Sequence, residues 1–279
     1  MRVRAFAKIN LALRVLGRRR DGVHELRTIF QSIALHDTLS IRAVRGPFHF
    51  TCDDPECPDD EANLIWRAAE RVWRAAGRRG TPRDMSVELT KRIPMQSGLG
   101  GGSSDAAAAL RAFARLWRVD TASIRTIAVE LGADVPYFFE GGTVLGLERG
   151  DLLFPLVDRP ASWVVLVVPD FGVSTKEAFA WWDRDASRGA RAFQASETLV
   201  NDLEAPVAAR HPQIRRLVQA LRRAGATHAA MTGSGSTVFG LFDSRAAAQR
   251  AAHAVGSPTR ETLITRTLNR PTYQRLAGV

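Results

Sequence analysis

This 279-residue chain has little cysteine, little lysine and no long apolar run. Its two cysteines stand together in Cys52-Asp-Asp-Pro-Glu-Cys57. Four intervening residues could suit a metal, but no second Cys or His cluster completes a tetrahedral set, so both read as ordinary thiols. No apolar stretch approaches the ~20 residues of a membrane span. The opening Met1-Arg2-Val3-Arg4-Ala5-Phe6 has neither a signal-peptide core nor a cleavage pattern. The expectation is therefore a cytoplasmic protein without a membrane partner. Internal repeats are lacking too.

Lysine is the sharpest shortage. Of 39 basic residues only Lys8, Lys91 and Lys176 are lysine, and the other 36 are arginine. In so biased a chain a lysine marks a place where a compact ammonium is wanted. The net charge of +10 raises the question of nucleic acid. Yet the arginines are scattered, and their densest clusters (18–20, 78–79 and 222–223) come with no nucleic-acid module. An excess of cations equally suits substrates carrying several phosphates. The expected partner is a small molecule, not a nucleic acid. The rival, an arginine-rich nucleic-acid binder, predicts steeply salt-dependent binding and no turnover.

What the chain does have is Pro94-Met-Gln-Ser-Gly98-Leu99-Gly100-Gly101-Gly102-Ser103-Ser104-Asp105, running into an alanine-rich helix expected over 106–117. Glycine lets backbone turn tightly and approach a ligand. Ser103, Ser104 and Asp105 are expected to cap the helix, whose N-terminus offers free N–H groups to phosphate oxygens. No Lys-Ser or Lys-Thr follows the last glycine, so this is not a Walker A loop, and the spacing does not fit the dinucleotide fingerprint.

At 45% hydrophobic, the chain can form one large domain or two compact ones. Strands are expected at 3–11, 12–17, 38–44, 48–52 and 85–93, with 38–44 and 48–52 joined as a hairpin through Arg45-Gly46-Pro47. Helices are expected at 62–76 and 124–131, and strands at 143–147 and 152–156. The remainder reads as a separate α+β unit: strands 163–168, 228–231, 237–242 and 261–268, helices 175–182, 212–224 and 246–255, and a polar loop over 183–195. The domain division is expected at 1–155 and 156–279.

Four segments carry chemistry: Ala7-Lys8-Ile9-Asn10-Leu11 with Arg20-Asp-Gly-Val23-His24 behind it; the glycine loop; Gly132-Ala-Asp134-Val-Pro136; and Thr232-Gly233-Ser234-Gly235-Ser236. Phosphoryl transfer needs a phosphate cradle, a cation near the transferred group and a group that orients the acceptor hydroxyl. Each has a candidate here. Taken singly, Asp134 could equally end a turn before Pro136, His24 could be a surface histidine, and Phe179 could be core.

These segments resemble the GHMP kinase superfamily over nearly the full length, and within it the kinases of a cytidine-diphosphate-linked methylerythritol. Phe6 to His24, Gly98 to Ala107 and Gly132 to Pro136 are the most specific matches. The resemblance implies an α+β, two-domain fold, with a nucleotide-binding half, a ferredoxin-like half and the active site in the cleft between them. It implies ATP, with Mg²⁺ accompanying it on unassigned ligands. It implies that Lys8 and Asp134 are catalytic. Pro94, Gly98, Leu99, Gly100, Gly101, Gly102, Ser103 and Ser104 would wrap the ATP phosphates, with Lys91, Asn63 and Leu64 near adenine. Asn10, His24, Phe179, Thr175, Gly233, Ser234 and Gly235 would bind the acceptor, His24 reaching the cytosine edge and Phe179 stacking on it. A monomer or weak homodimer is expected. Val23 stands where the superfamily's cytidyl kinases usually carry an aromatic, which leaves one face of the base to apolar contact or to Phe30. A rival GHMP kinase acting on homoserine, mevalonate or a sugar accounts for the glycine loop equally well, but not for the Asp-Gly-Val-His segment.

Overall fold

A computed structural model describes residues 1–186 and 199–278. Two sheets face one another across a shared layer of side chains. The first contains β1 (Arg2–Arg18), β2 (His24–Pro47), β3 (His49–Cys52), β4 (Arg83–Thr90), β5 (Thr143–Glu148) and β6 (Leu152–Pro155). Its order is β3-β4-β2-β5-β6, with β1 paired to β2. The long strand β2 organises it: β1 runs antiparallel along residues 24–40, β5 pairs with 26–31 and β4 with 38–47.

Helices α1 (Leu64–Ala75), α2 (Gly101–Trp117), α3 (Thr121–Leu131) and the short α4 (Tyr137–Glu140) pack on this sheet. Their seam holds Ile65, Val72, Leu110, Phe113 and Ile124 against Leu39, Ile41 and Val87. In α1 apolar residues recur every three or four positions, which puts them on one face. Asn63 caps α1, its side chain accepting from Ile65 N at 2.9 Å.

The second sheet is fully antiparallel, in the order β10 (Glu261–Arg266), β7 (Trp163–Val168), β9 (Val238–Phe242), β8 (His228–Met231). Around it lie α5 (Thr175–Ala186), α6 (Glu204–Arg210), α7 (Pro212–Arg223) and α8 (Arg245–Val255), while α9 (Arg270–Ala277) packs back on β1. Strand β1 serves both halves. Ala7, Ile9 and Leu11 meet Leu166, Phe239 and Leu241 of the second sheet, and Leu13 and Val15 join the core beneath α6 and α7.

Several expectations need correction. Segments 3–11 and 12–17 form one strand, with register shifts at Phe6/Lys8, Asn10/Ala12 and Val15/Gly17 in place of a break. Residues 38–44 and 48–52 do not form a hairpin: β4 lies between them and pairs with β3 in parallel. Helix α2 starts at Gly101, five residues before the alanine run, so Ser103, Ser104 and Asp105 lie inside it and do not cap it. The cap is Gly100, at a left-handed φ of 74°. Residues 183–186 extend α5; the rest of the loop expected over 183–195 lies outside the described residues.

Candidate active site

The site is a cavity of about 960 Å³ bordered by β1, the glycine loop, the 133–134 turn, α5 and the 233–234 turn. Strand alternation decides which face of β1 it sees. Ala7, Ile9 and Leu11 turn into the core, so Lys8 and Asn10 share the other face. Register shifts flank this pair on both sides, a device that re-aims side chains. Lys8 is only 3% exposed, and its Nζ donates to Asn10 Oδ1 at 2.7 Å and lies 3.3 Å from Asp134 Oδ2. Asp134 follows the end of α3 and keeps about a third of its side chain accessible. Asn10 is locked in turn: its Nδ2 donates to Thr28 Oγ1 at 2.7 Å, and its backbone N to Thr232 Oγ1 at 3.0 Å. An ammonium and a carboxylate are thus held side by side, the ammonium rigidly and the carboxylate facing the cavity.

The glycine loop is pinned on both sides. Lys8 N donates to Leu99 O at 3.0 Å, and Ser104 Oγ to Phe6 O at 2.7 Å. Gly98 (φ 77°) lies against the turn that follows β8, where a Cβ would stand 2.3 Å from Thr232 O. Gly100 passes so close to Lys8 that a Cβ would meet its Cγ and Cε at 3.1 Å. Beneath the loop Lys91 Nζ reaches Asp37 Oδ2 at 2.5 Å and Asp105 Oδ2 at 3.0 Å. Asp37 also accepts from Arg92 N and Ile93 N, fixing the segment that enters the loop. Burial pushes the Asp105 carboxyl well above the usual carboxylate range, with the Lys91 ammonium opposing the shift. Lys91 is thus clamped between two buried acidic side chains.

At the far end Val23 stands on the rim, 41% exposed. The His24 ring stacks on Phe179 (centroids 4.5 Å, 20°), meets Trp182 edge-on and bonds Asp183 Oδ1 through Nε2 at 2.8 Å. Thr175 Oγ1, at the start of α5, lies 3.3 Å from Ser234 Oγ. Asn201 holds the Thr232–Gly235 turn from behind, donating to Met231 O and Gly233 O at 2.7 and 2.8 Å.

Residues 63–142 match the family described as GHMP kinases N terminal domain, and residues 183–260 that described as GHMP kinases C terminal. The chain is 42% identical to the 4-diphosphocytidyl-2-C-methyl-D-erythritol kinase of Solibacter usitatus, over 98% of this chain and 92% of that one. It is 39% identical to the enzyme of the same name from Pelotomaculum thermopropionicum, over 95% and 97%. A crystal structure of 4-(cytidine 5'-diphospho)-2C-methyl-D-erythritol kinase superposes with a TM-score of 0.81 at 33% identity, covering 96% of this chain and 99% of that one. The chain belongs to the 4-diphosphocytidyl-2-C-methyl-D-erythritol kinase family. It is a small-molecule phosphotransferase of GHMP kinase fold.

In this family member the cavity brings together Lys8, Asn10, His24, Asn63, Leu64, Lys91, Pro94, Gly98, Gly100, Gly101, Gly102, Ser103, Asp134, Thr175, Phe179, Gly233 and Ser234. Three expected site residues lie behind the wall. Leu99 is fully buried in the inter-sheet core, Ser104 is spent on Phe6 O, and Gly235 packs against Met231. Two expectations about rings change as well. Phe30 borders the cavity, yet it is 1% exposed and packs on Tyr137 at 4.7 Å, so most of its ring is core. Phe179 presents its face to His24. Sequence reasoning missed Thr28, Asp37 and Asp183, and it marked Thr232 only as part of a segment, without a role. Of the three, only Asp37 left a trace, as a lone acid between Ala34-Leu35 and the alternating Leu39 and Ile41 of β2.

Proposed function

We propose that the chain transfers the γ-phosphoryl group of ATP to the 2-hydroxyl of 4-diphosphocytidyl-2-C-methyl-D-erythritol, releasing ADP in isoprenoid precursor synthesis. The observation that carries the reading is the Lys8–Asp134 pair, 3.3 Å apart beside the glycine loop. Asp134 accepts the hydroxyl proton as the new O–P bond forms and the bond to the ADP oxygen breaks. Lys8, with its Nζ 3.3 Å from Asp134 Oδ2, offsets charge on the transferred group. The N–H groups at the start of α2 receive phosphate oxygens. Asn63 and Leu64 border the adenine end, with Lys91 beneath it as an anchor of the loop.

Among the described residues no group of three or more His, Cys, Asp or Glu could hold a metal by itself. The Mg²⁺ that accompanies ATP needs only one or two protein carboxylates beside the phosphates, and Asp134 fits that role. When bound it neutralises phosphate charge. No helix of the described residues is long and apolar enough to cross a membrane. The reading carries a cytoplasmic monomer or weak homodimer without nucleic-acid partners.

The test is ATP consumption with 4-diphosphocytidyl-2-C-methyl-D-erythritol, homoserine and mevalonate offered separately. Turnover with the first alone is expected. Turnover of either other acceptor, and none of the cytidyl compound, overturns the reading.

A further inference from the structure

One imidazole is gripped by one helix face. Phe179, Trp182 and Asp183 are spaced i, i+3 and i+4 on α5, so they project from the same side. Phe179 stacks on the His24 ring and Trp182 meets it edge-on, which fixes the ring plane. Asp183 Oδ1 holds Nε2 at 2.8 Å, which fixes rotation within that plane. The ring belongs to the start of β2 in the first sheet, and its three restraints belong to the second half. The His24 side chain is 12% exposed and borders the cavity, and its Nδ1 has no hydrogen-bond partner among the described residues.

An ionised carboxylate has no proton to give, so in this contact Nε2 must carry the hydrogen. The nitrogen that carries the proton is set by the bond the other one makes. In the neutral ring Nδ1 is then a lone-pair acceptor.

We propose that Asp183 is a positioning residue for substrate choice. It holds the His24 proton on Nε2, so that Nδ1 accepts from an N–H donor of the acceptor's base, the donor that an aminopyrimidine has and its oxo counterpart lacks at the same position. This rests on the cytidyl acceptor proposed above and adds the group that decides how its base is read. Asp183 touches no reacting atom. An amide in its place can donate through Nδ2 and turn the tautomer over, as Asn does at an Asp–His pair elsewhere.

The first measurement is the ¹⁵N spectrum of the His24 imidazole at mildly alkaline pH, in wild type, Asp183→Asn and Asp183→Glu, without substrate. Wild type should show a protonated Nε2 and a bare Nδ1. Asp183→Asn should populate the opposite tautomer, and Asp183→Glu should restore the first. The second measurement is steady-state kinetics with the cytidyl acceptor and its uridyl counterpart. In Asp183→Asn the KM for the cytidyl acceptor should rise about three- to tenfold, the loss of one hydrogen bond. The cytidyl-to-uridyl preference should shrink, with kcat and the KM for ATP within about twofold of wild type. A residue that merely docks α5 would move both KM values and kcat together.

The proposal is overturned if Nδ1 carries the proton in wild type. It is equally overturned if Asp183→Asn leaves the cytidyl KM and the base preference unchanged. The tautomer measurement needs no substrate. It therefore judges the Asp183–His24 pair even if wild type phosphorylates neither acceptor, an outcome that overturns the proposed function instead.

Discussion

Gly98 and Thr232, 134 residues apart in sequence, meet backbone to backbone: a Cβ on Gly98 would lie 2.3 Å from the Thr232 carbonyl oxygen. The φ of 77° at Gly98 independently disfavours any other residue. Gly98→Ala must therefore shift the glycine loop, the 232–235 turn or both. Misplacement by about 1 Å can cost on the order of 10²-fold in rate. A fall in kcat/KM of at least that order is expected from steady-state assays. Gly102→Ala is the contrast, since its nearest neighbour would be Leu64 Cδ1 at 3.9 Å and its backbone is helical. Its melting temperature should equal or exceed that of wild type.

Asp134→Asn keeps the side-chain shape and removes the proposed proton acceptor. Turnover should fall roughly 10²–10⁴-fold. Lys8→Ala should lower it too, and the double variant should lose less than the product of the two, because both serve one proton transfer. Wild-type turnover in a folded Asp134→Asn protein would make Asp134 structural.

Val23 stands exposed on the rim beside His24. Phe179 and the largely buried Phe30 line the cavity, and Val23→Tyr should add a ring at the rim where Val23 offers none. Aromatic pairing contributes about 0.5–1.5 kcal/mol beyond buried area, so the acceptor's KM should fall a few-fold to roughly tenfold. The kcat should hardly change, because stacking remote from the reacting hydroxyl is felt equally in ground and transition states. A higher KM than that of Val23→Ala would show that the space is already filled.

Lys91→Met leaves Asp37 and Asp105 buried without their shared cation. Breaking a buried ion pair from one side costs about 3–5 kcal/mol, and denaturant unfolding should show a loss of that order. Adding Asp105→Asn removes one of the two buried carboxyls that Lys91 had held together and should recover part of the loss. If Lys91→Met unfolds at the wild-type midpoint, the buried network is not holding the loop entry.

The parts of the site that came through in the sequence are those encoded locally. Lys8 and Asn10 are separated by one strand period, and the glycines needed for left-handed backbone at 98 and 100 sit in one run. Asp183 and His24 are 159 residues apart. Nothing near Asp183 marks it, because its partner is chosen by how α5 lies across the cavity. The same distinction explains the error over β3. Arg45-Gly46-Pro47 carries a turn signal, yet β2 continues through it to Pro47 and pairs there with Arg83. The non-local strand β4 takes the place beside β2, and β3 is left on its far side. The start of α2 was misjudged for a related reason. Glycine is a poor helix former, but at Gly101 a Cβ would press on Ile93 and the Lys91 ammonium at 3.1–3.2 Å, so packing overrides propensity.

Strand β1 is synthesised before much of what it packs against. Leu166, Phe239 and Leu241 complete the layer around Ala7, Ile9 and Leu11. Ile9 must therefore wait for more than two hundred further residues before its core closes. Contacts of such long sequence separation slow folding and leave apolar strand surface uncovered during synthesis. The first half of the chain can pair β1 with β2 on its own, but it cannot finish the wall that carries Lys8. The Lys8 ammonium acquires its final setting only after β7 and β9 have been made.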